Sequence, residues 1–132
     1  MNPRPPSPWK GRGFTARLGH AWAGLRSAWQ HEPSLRTHAV ATVAVVAALA
    51  VTRAPASWWA LMALTIGAVV STELLNTALE VLADHLHPGH HPAIGRCKDV
   101  AAGAVLVSSM AAVGVGLAFL IGHVLPWLGW VH

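Results

Sequence analysis

The stretch WWALMALTIGAVV (58–70) runs without interruption into STELLNTALEVLAD (71–84), and together the two segments decide the fold. The first is apolar enough to enter a bilayer, whereas the second carries three of the chain's five acidic residues. Ionisable groups in a membrane span are costly, face a protein interior or a wet cavity, and are functional candidates by default. This junction therefore predicts a membrane helix that ends in a polar, functional face.

The composition is that of a membrane protein. Of the 132 residues, 54% are hydrophobic and 11% are charged, whereas soluble domains carry about 25% charged residues. The length suits one domain, and a transmembrane helix needs about 20 predominantly apolar residues. We therefore predict a single all-α membrane domain over residues 14–132, with three transmembrane helices at about 35–52, 57–84 and 96–124.

The segment before the first predicted span has two parts. Residues 1–13 include four prolines and no apolar periodicity, which indicates a disordered lead. A stripe within about 80° of one helical face follows, and it consists of Phe14, Leu18, Trp22, Leu25 and Trp29. We predict an amphipathic surface helix at about 14–31 lying in the membrane interface, and packing of the same stripe on the other helices is compatible with it.

Prolines mark where two helices are expected to begin or end. Pro33 disfavours helical geometry at Glu32, and Ser34 can cap the helix that follows. Pro126 is expected to stop the third span. The single Cys97 excludes an internal disulfide.

Positive charge is concentrated on one side of the predicted spans. Eight of the nine Lys and Arg residues precede the first or the third span, and only Arg53 lies between the first and the second. The positive-inside rule therefore places the N-terminus in the cytoplasm and the C-terminus outside. A basic segment can also bind nucleic acid, but the three spans favour the membrane bilayer, and we expect no nucleic-acid partner.

The acidic end of the second span forms one polar face. Relative to Glu73, Glu80 lies at about −20° and Asp84 at about +20° around a helix with 100° per residue. Asn76, at about −60°, extends the same face. The alternative is a helix that has already left the membrane, with acids that are merely solvated. Glu73 is hardest to explain in that way because it adjoins the apolar run.

These residue types suit phosphoryl transfer. Carboxylates and an amide supply the oxygen ligands that Mg²⁺ shares with substrate phosphates and water, and Glu32 can add another oxygen on the same side. Lys98 and Arg96 bring positive charge to the surface where phosphates would bind. A carboxylate near a hydroxyl can act as general base, and the interfacial position favours a lipid acceptor.

Three blocks resemble one family. GLRSAWQHEPSLRTH (24–38), STELLNTALEVLAD (71–84) and GRCKDVAAGAVL (95–106) have the order and spacing of the small integral-membrane diacylglycerol kinases of bacteria. The resemblance covers about residues 14–125, and all five acidic residues fall on its motif positions. It implies a homotrimeric helical bundle in the bacterial cytoplasmic membrane, with sites between subunits, that transfers the γ-phosphoryl group of Mg-ATP to a lipid hydroxyl.

By position, the resemblance implies a role for most polar residues of these blocks. Glu73 would be the catalytic base, and Glu32 and Glu80 would hold Mg²⁺, with ATP as co-substrate. The implied ATP-binding residues are His20, Glu32, Asn76, Glu80, His90, His91, Lys98 and Asp99. The implied lipid-binding residues are Arg26, Ser27, Ala28, Trp29, Ser34, Leu35, Arg36, Thr37, His38 and Glu73. No clear role follows for Asp84.

The chain departs from the family's pattern at several histidines. His20 stands where some members carry an aromatic hydroxyl, and the loop after the second span contains His85, His87, His90 and His91. We interpret this loop as a solvated segment that contributes a nucleotide contact. A Zn²⁺ or Ni²⁺ site is the alternative.

Three functions remain open from the residues. Diacylglycerol is the preferred acceptor because GLRSAW (24–29) and GRCKD (95–99) are closer to that branch of the family. Undecaprenol, which also ends in a primary hydroxyl, is the alternative. A non-enzymatic ion-binding or assembly subunit would function without ATP, and it would leave Lys98 and Asp99 unexplained.

Overall fold

The structure is a computed structural model, and it describes residues 13–89 and 91–130. Its architecture is a set of helices joined by short connections. They are α1 (Phe14–His31), α2 (Pro33–Val51), α3 (Ala56–Leu86) and α4 (Pro92–Phe119), which a π-helical turn (Leu120–Val124) and the short α5 (Leu125–Trp127) extend. The disordered lead predicted for 1–13 lies outside the described residues apart from Gly13.

Three of these helices are long and apolar enough to cross a membrane. They are Pro33–Val51, Ala56–Leu86 and the continuous unit Pro92–Trp127. Many of their large apolar side chains are exposed, which is tolerable where the surroundings are lipid tails of similar polarity. The predicted all-α class and the three predicted membrane helices are confirmed.

A proline and an arginine build the joint between α1 and α2. Glu32 has extended backbone (φ −108°, ψ 104°), and Pro33 is the first residue of α2, where its missing N–H leaves no bond unmade. Ser34 therefore lies inside the first turn and is not the cap that the sequence predicted. One turn further on, Arg36 donates to two carbonyl oxygens at the end of α1, at 3.0 and 3.3 Å, and so ties the two helices together.

A tight hairpin joins α2 to α3. The Thr52 hydroxyl donates to the Ala48 carbonyl at 2.7 Å, and the Ala54 N–H donates to the Leu49 carbonyl at 2.9 Å. Arg53 has a positive φ of 50°, a conformation that is uncommon outside glycine. The chain direction is thereby reversed within a short connection, and the polar groups of the turn are satisfied internally.

The main buried cluster lies beside this hairpin. Leu49, Ala54, Met62 and Phe119 form it, and the Trp58 ring meets the Phe119 ring edge to face with centroids 5.2 Å apart. Such an arrangement is favoured by the ring quadrupoles. The acidic face of α3 lies at the other end of that helix, so the packed core and the candidate site occupy opposite ends of the bundle.

Pro126 does not stop the third membrane helix where the sequence predicted. Helical geometry continues past it to Trp127, and Leu120–Val124 widen into a π turn immediately before it. Proline lacks the N–H that an α-helix would use, and a local π turn is one way for a chain to continue through such a gap. The third membrane helix is therefore longer than predicted.

Candidate functional site

Glu73 is buried in α3, with 7% of the residue exposed. Its Oε1 lies 3.9 Å from the Nε2 of His38 on α2. Glu73 therefore faces the neighbouring helix. A carboxylate held away from water on a membrane helix has the placement expected of a functional group.

Asn76 and Glu80 form a second unit further along α3. The Asn76 Nδ2 donates to the Glu80 Oε1 at 3.0 Å. The Asn76 Oδ1 is buried and has no hydrogen-bond partner among the residues that the structure describes. Buried polar atoms are nearly always paired in folded proteins, so an unpartnered oxygen beside a carboxylate fits a hard cation such as Mg²⁺.

Asp84 and Lys98 join the ends of α3 and α4. The Lys98 Nζ donates to the Asp84 Oδ1 at 2.9 Å, and the side chains are 34% and 67% exposed, respectively. Asp84, to which the sequence assigned no clear role, thus holds the lysine that was predicted to contact phosphates. Asp99, the next residue of the predicted nucleotide set, is exposed.

The described residues of one chain do not bring three possible metal ligands together. Within residues 13–89 and 91–130, no three His, Cys, Asp or Glu side chains come together in a way that could hold an ion. Glu32 is half-buried at the joint between α1 and α2. Glu32 and Glu80 therefore do not form such a set with a third group. Glu80 and the Asn76 Oδ1 are oxygen groups of neighbouring residues on α3.

An apolar groove of about 760 Å³ lies between α1 and the α2–α3 pair. Of the residues predicted to bind lipid, Arg26, Trp29 and Leu35 line it. Trp22 of the amphipathic stripe and Val43 of α2 form further parts of its wall. A largely apolar concave site with one basic group suits a lipid.

The other predicted lipid-binding residues do not line this groove. The Arg36 guanidinium is bonded to carbonyl oxygens of α1, at Trp29 and Gln30, and Ala28 is buried. His38 faces Glu73. Ser27, Ser34 and Thr37, which were also predicted to bind lipid, are likewise absent from the groove walls.

Two of the three histidines that were predicted to contact ATP lie in the described residues, and they lie at different helices. His20 is exposed on α1, and the His91 Nδ1 caps α4 by accepting the Ala93 N–H at 3.3 Å. The His91 ring lies 5.6 Å from that of His87, and His90 lies outside the described residues. Since no three-ligand set forms in the described part of the loop, the Zn²⁺ or Ni²⁺ alternative gains no support.

Two pairs in this region were not predicted. Asp84 and Lys98 have opposite charges on either side of a short connection, and that signal was available in the sequence. The approach of His38 to Glu73 had no such signal, because it depends on how α2 and α3 are rotated about their axes.

These features define a class: a small, multi-pass, all-helical membrane protein with a carboxylate-rich site at the end of a span. The chain belongs to the prokaryotic diacylglycerol kinase family, whose model matches residues 19–120. The predicted family and the predicted enzymatic nature are therefore confirmed.

The chain is similar to several characterised members by sequence. It is 32% identical over 114 residues to the diacylglycerol kinase of Escherichia coli K12, a match that covers 84% of this chain and 93% of that protein. It is 34% identical over 108 residues to the undecaprenol kinase of Bacillus subtilis, covering 82% and 88%. The match to the diacylglycerol kinase of Synechocystis is 40% identical over 103 residues and covers 77% of this chain but 59% of that protein, less than two thirds of its length.

Proposed function

We propose that the protein transfers the γ-phosphoryl group of Mg-ATP to the primary hydroxyl of diacylglycerol, giving phosphatidic acid. The observation that carries this proposal is Glu73, a carboxylate buried on a membrane helix in a chain of a lipid kinase family. Undecaprenol is the second candidate acceptor because one relative is named as an undecaprenol kinase. A non-enzymatic subunit is set aside since the family is enzymatic.

In the proposed reaction Glu73 is the general base. The acceptor O–H bond breaks and its proton moves to the Glu73 carboxylate. The oxygen bonds to the γ-phosphorus as the bond to the leaving ADP breaks. A well-placed general base contributes about 10²- to 10⁴-fold, and positioning with charge neutralisation supplies most of the rest in phosphoryl transfer.

The metal would be held by Glu32, Glu80 and the Asn76 Oδ1. When bound, Mg²⁺ neutralises charge on the phosphates. The unpartnered, buried Asn76 Oδ1 next to Glu80 supports this assignment.

The nucleotide phosphates would contact Lys98, whose side chain is already held by Asp84 at 2.9 Å. Asp99 lies beside Lys98 in sequence and is proposed to contribute to the same nucleotide site. His20, His90 and His91 are proposed as further ATP contacts.

The acceptor lipid would lie along segments 26–29 and 34–38. The groove of about 760 Å³ that Arg26, Trp29 and Leu35 line supports this placement, since its walls are mostly apolar. Lipid chains in the groove would leave the head group near the joint between α1 and α2.

We further propose a homotrimer with active sites between subunits. The support is that the described residues of a single chain form no three-ligand metal set, because a neighbouring copy that supplies Glu32 to Glu80 would complete one. The exposed apolar faces of the spans, rich in small residues in α2 and α4, also suit close helix approach.

The proposed location is the bacterial cytoplasmic membrane, with the N-terminus in the cytoplasm and the C-terminus outside. The support is the distribution of Lys and Arg, of which only Arg53 lies at the α2–α3 hairpin. In this orientation Glu73 and Lys98 face the cytoplasmic supply of ATP.

The proposal is tested with purified protein in mixed micelles that contain labelled ATP, Mg²⁺ and either diacylglycerol or undecaprenol. We expect label in phosphatidic acid and a slower reaction with undecaprenol. Faster turnover of undecaprenol would replace the first acceptor by the second, and no lipid phosphorylation would overturn both. Glu73→Gln should lower turnover by at least about 100-fold while ATP binding persists, and wild-type turnover would remove Glu73 as base.

A further inference from the structure

His38 connects two features of the molecule. Its side chain, which is 26% exposed, faces Glu73 from α2. It also lines a second apolar groove, of about 290 Å³, between α2, α3 and α4. Thr42, one turn further along α2, and Val69 on α3 line the same groove. The imidazole therefore stands where an apolar groove meets the buried carboxylate.

Glu73 has few other polar neighbours. Across residues 13–89 and 91–130, His38 is the only titratable side chain at ion-pair distance from it, and nearby Asn76 is bonded to Glu80 instead. A buried carboxylate without a partner is costly, and its side chain has several staggered rotamers available. Among the described residues, the group placed to orient this carboxylate is therefore on the neighbouring helix.

The distance between the His38 imidazole and the Glu73 carboxylate is that of an ion pair without a hydrogen bond. At 3.9 Å, the His38 Nε2 and the Glu73 Oε1 are within ion-pair range but beyond hydrogen-bond length. Catalytic hydrogen bonds are often long before substrate binds and tighten in the complex. A base that is oriented by a third group is a recurring arrangement in enzymes.

We propose that His38 is a positioning residue for Glu73: its Nε2–H holds Oε1 and leaves Oε2 directed at the acceptor hydroxyl. This inference rests on the proposed function, in which Glu73 is the base, and it adds the group that sets the geometry of proton transfer. His38 itself takes no proton from the substrate. Its removal therefore lowers kcat more than it changes KM for the lipid, whose proposed path includes residue 38.

Three substitutions of His38 separate these effects. His38→Gln keeps an N–H donor at about the reach of Nε2, His38→Asn keeps a donor that is too short, and His38→Leu removes the donor but keeps apolar bulk. We expect His38→Gln to retain most of kcat, and His38→Asn and His38→Leu to lower kcat by about 10- to 100-fold, since small misplacements of catalytic groups have effects of this size. KM for ATP should stay near the wild-type value, and KM for the lipid should change less than kcat.

A residue that merely lined the groove would give a different pattern. His38→Leu would then keep kcat and change KM for the lipid, and His38→Gln and His38→Asn would behave alike; either result overturns the inference. Thr65→Val is the matched control. Thr65 lines the same groove, and its hydroxyl bonds to the Leu61 carbonyl of its own helix at 2.7 Å, so kcat should be retained.

A double substitution tests whether His38 acts through Glu73. In a Glu73→Asp background the shortened carboxylate no longer reaches the imidazole, so adding His38→Leu should lower kcat little further. A full, additive loss would contradict the inference. If His38→Leu does not fold, as judged by ATP binding, the contrast between His38→Gln and His38→Asn decides the question.

Failure of the inference is distinguishable from failure of the proposed function. Wild-type protein that phosphorylates no lipid refutes the function itself. An active wild type, an inactive Glu73→Gln and a His38→Asn variant with wild-type kcat refute only the role of His38.

Discussion

Exposure rises along the acidic face of α3 from one end to the other. Glu73 is 7% exposed, Asn76 and Glu80 are half-buried, and the Asp84 side chain is 67% exposed. Electrostatic interactions are stronger where water is excluded, so the deep end suits proton transfer. The exposed end suits a nucleotide that enters from solvent.

The first prediction concerns the metal. Glu80→Gln should raise the Mg²⁺ concentration that gives half-maximal activity by about tenfold or more, because it removes a charged oxygen ligand. The measurement is a Mg²⁺ titration of lipid phosphorylation at saturating ATP. Asp84→Asn, on the same face but bonded to Lys98, is the control and should leave the Mg²⁺ midpoint unchanged. An unchanged midpoint in Glu80→Gln would remove Glu80 from the proposed metal set.

At the scale of helices, the joint between α1 and α2 positions one wall of the larger groove. Trp29 and Leu35 lie on either side of the joint and both line that groove. Arg36 donates to carbonyl oxygens of α1, which otherwise end unpaired. The geometry of the groove therefore depends on a contact that lies outside it.

Arg36→Leu should raise KM for the lipid by about three- to tenfold, because the loss of two hydrogen bonds loosens α1 against α2. KM for ATP should change little. The measurement is initial rate against the mole fraction of diacylglycerol in micelles. Arg17→Leu, at an exposed position of α1, is the control. Equal effects of the two substitutions would show that charge on α1 and α2, and not the joint, is responsible.

The success of prediction from sequence differed between elements for physical reasons. Hydrophobic length predicted three membrane helices, and 100° periodicity predicted that the polar residues of 71–84 share one face of a helix, because both are local properties of one helix. The sequence predicts that α2 begins at about residue 35 after a cap at Ser34, whereas it begins at Pro33, because the fixed φ of proline suits the first helical position. The contact between His38 and Glu73 was not predicted, since it depends on the packing of two helices.

At the scale of the whole molecule, the two ends differ. The packed cluster around Leu49 and Phe119 lies beside the α2–α3 hairpin, whereas the acidic face, the α1–α2 joint and the connection to α4 lie at the other end. A packed core at one end and the larger groove toward the other suit an enzyme whose substrates enter from one side of the membrane.

The orientation of the protein in its membrane can be measured by labelling the native thiol of Cys97. Cys97 is exposed and free, next to Lys98, and the proposed orientation places it in the cytoplasm. A membrane-impermeant maleimide should label it in inverted vesicles and not in sealed right-side-out vesicles. Cys97→Ser is the control for background labelling. Labelling only in right-side-out vesicles would reverse the proposed topology.

Shared sites can be tested by mixing subunits. Glu73→Gln and Glu32→Gln chains are each expected to be inactive, and co-assembly should restore part of the activity, because some sites then receive an intact Glu73 and an intact Glu32 from different copies. The measurement is lipid phosphorylation after joint reconstitution. A double substitution, Glu32→Gln with Glu73→Gln, mixed with either single variant, is the control and should restore less. No recovery in the first mixture would argue against sites between subunits.

The α2–α3 hairpin also bears on how the protein enters its membrane. Only Thr52 to Pro55 separate the two helices, and Arg53 is the one charged residue among them. Thr52 and Ala54 already use their polar groups within the turn, so few of them need be stripped of water on crossing the bilayer. The two helices can therefore insert together as a hairpin whose short tip carries a single charge across. In the proposed orientation, the segments that carry the site then stay on the cytoplasmic side, where they are synthesised.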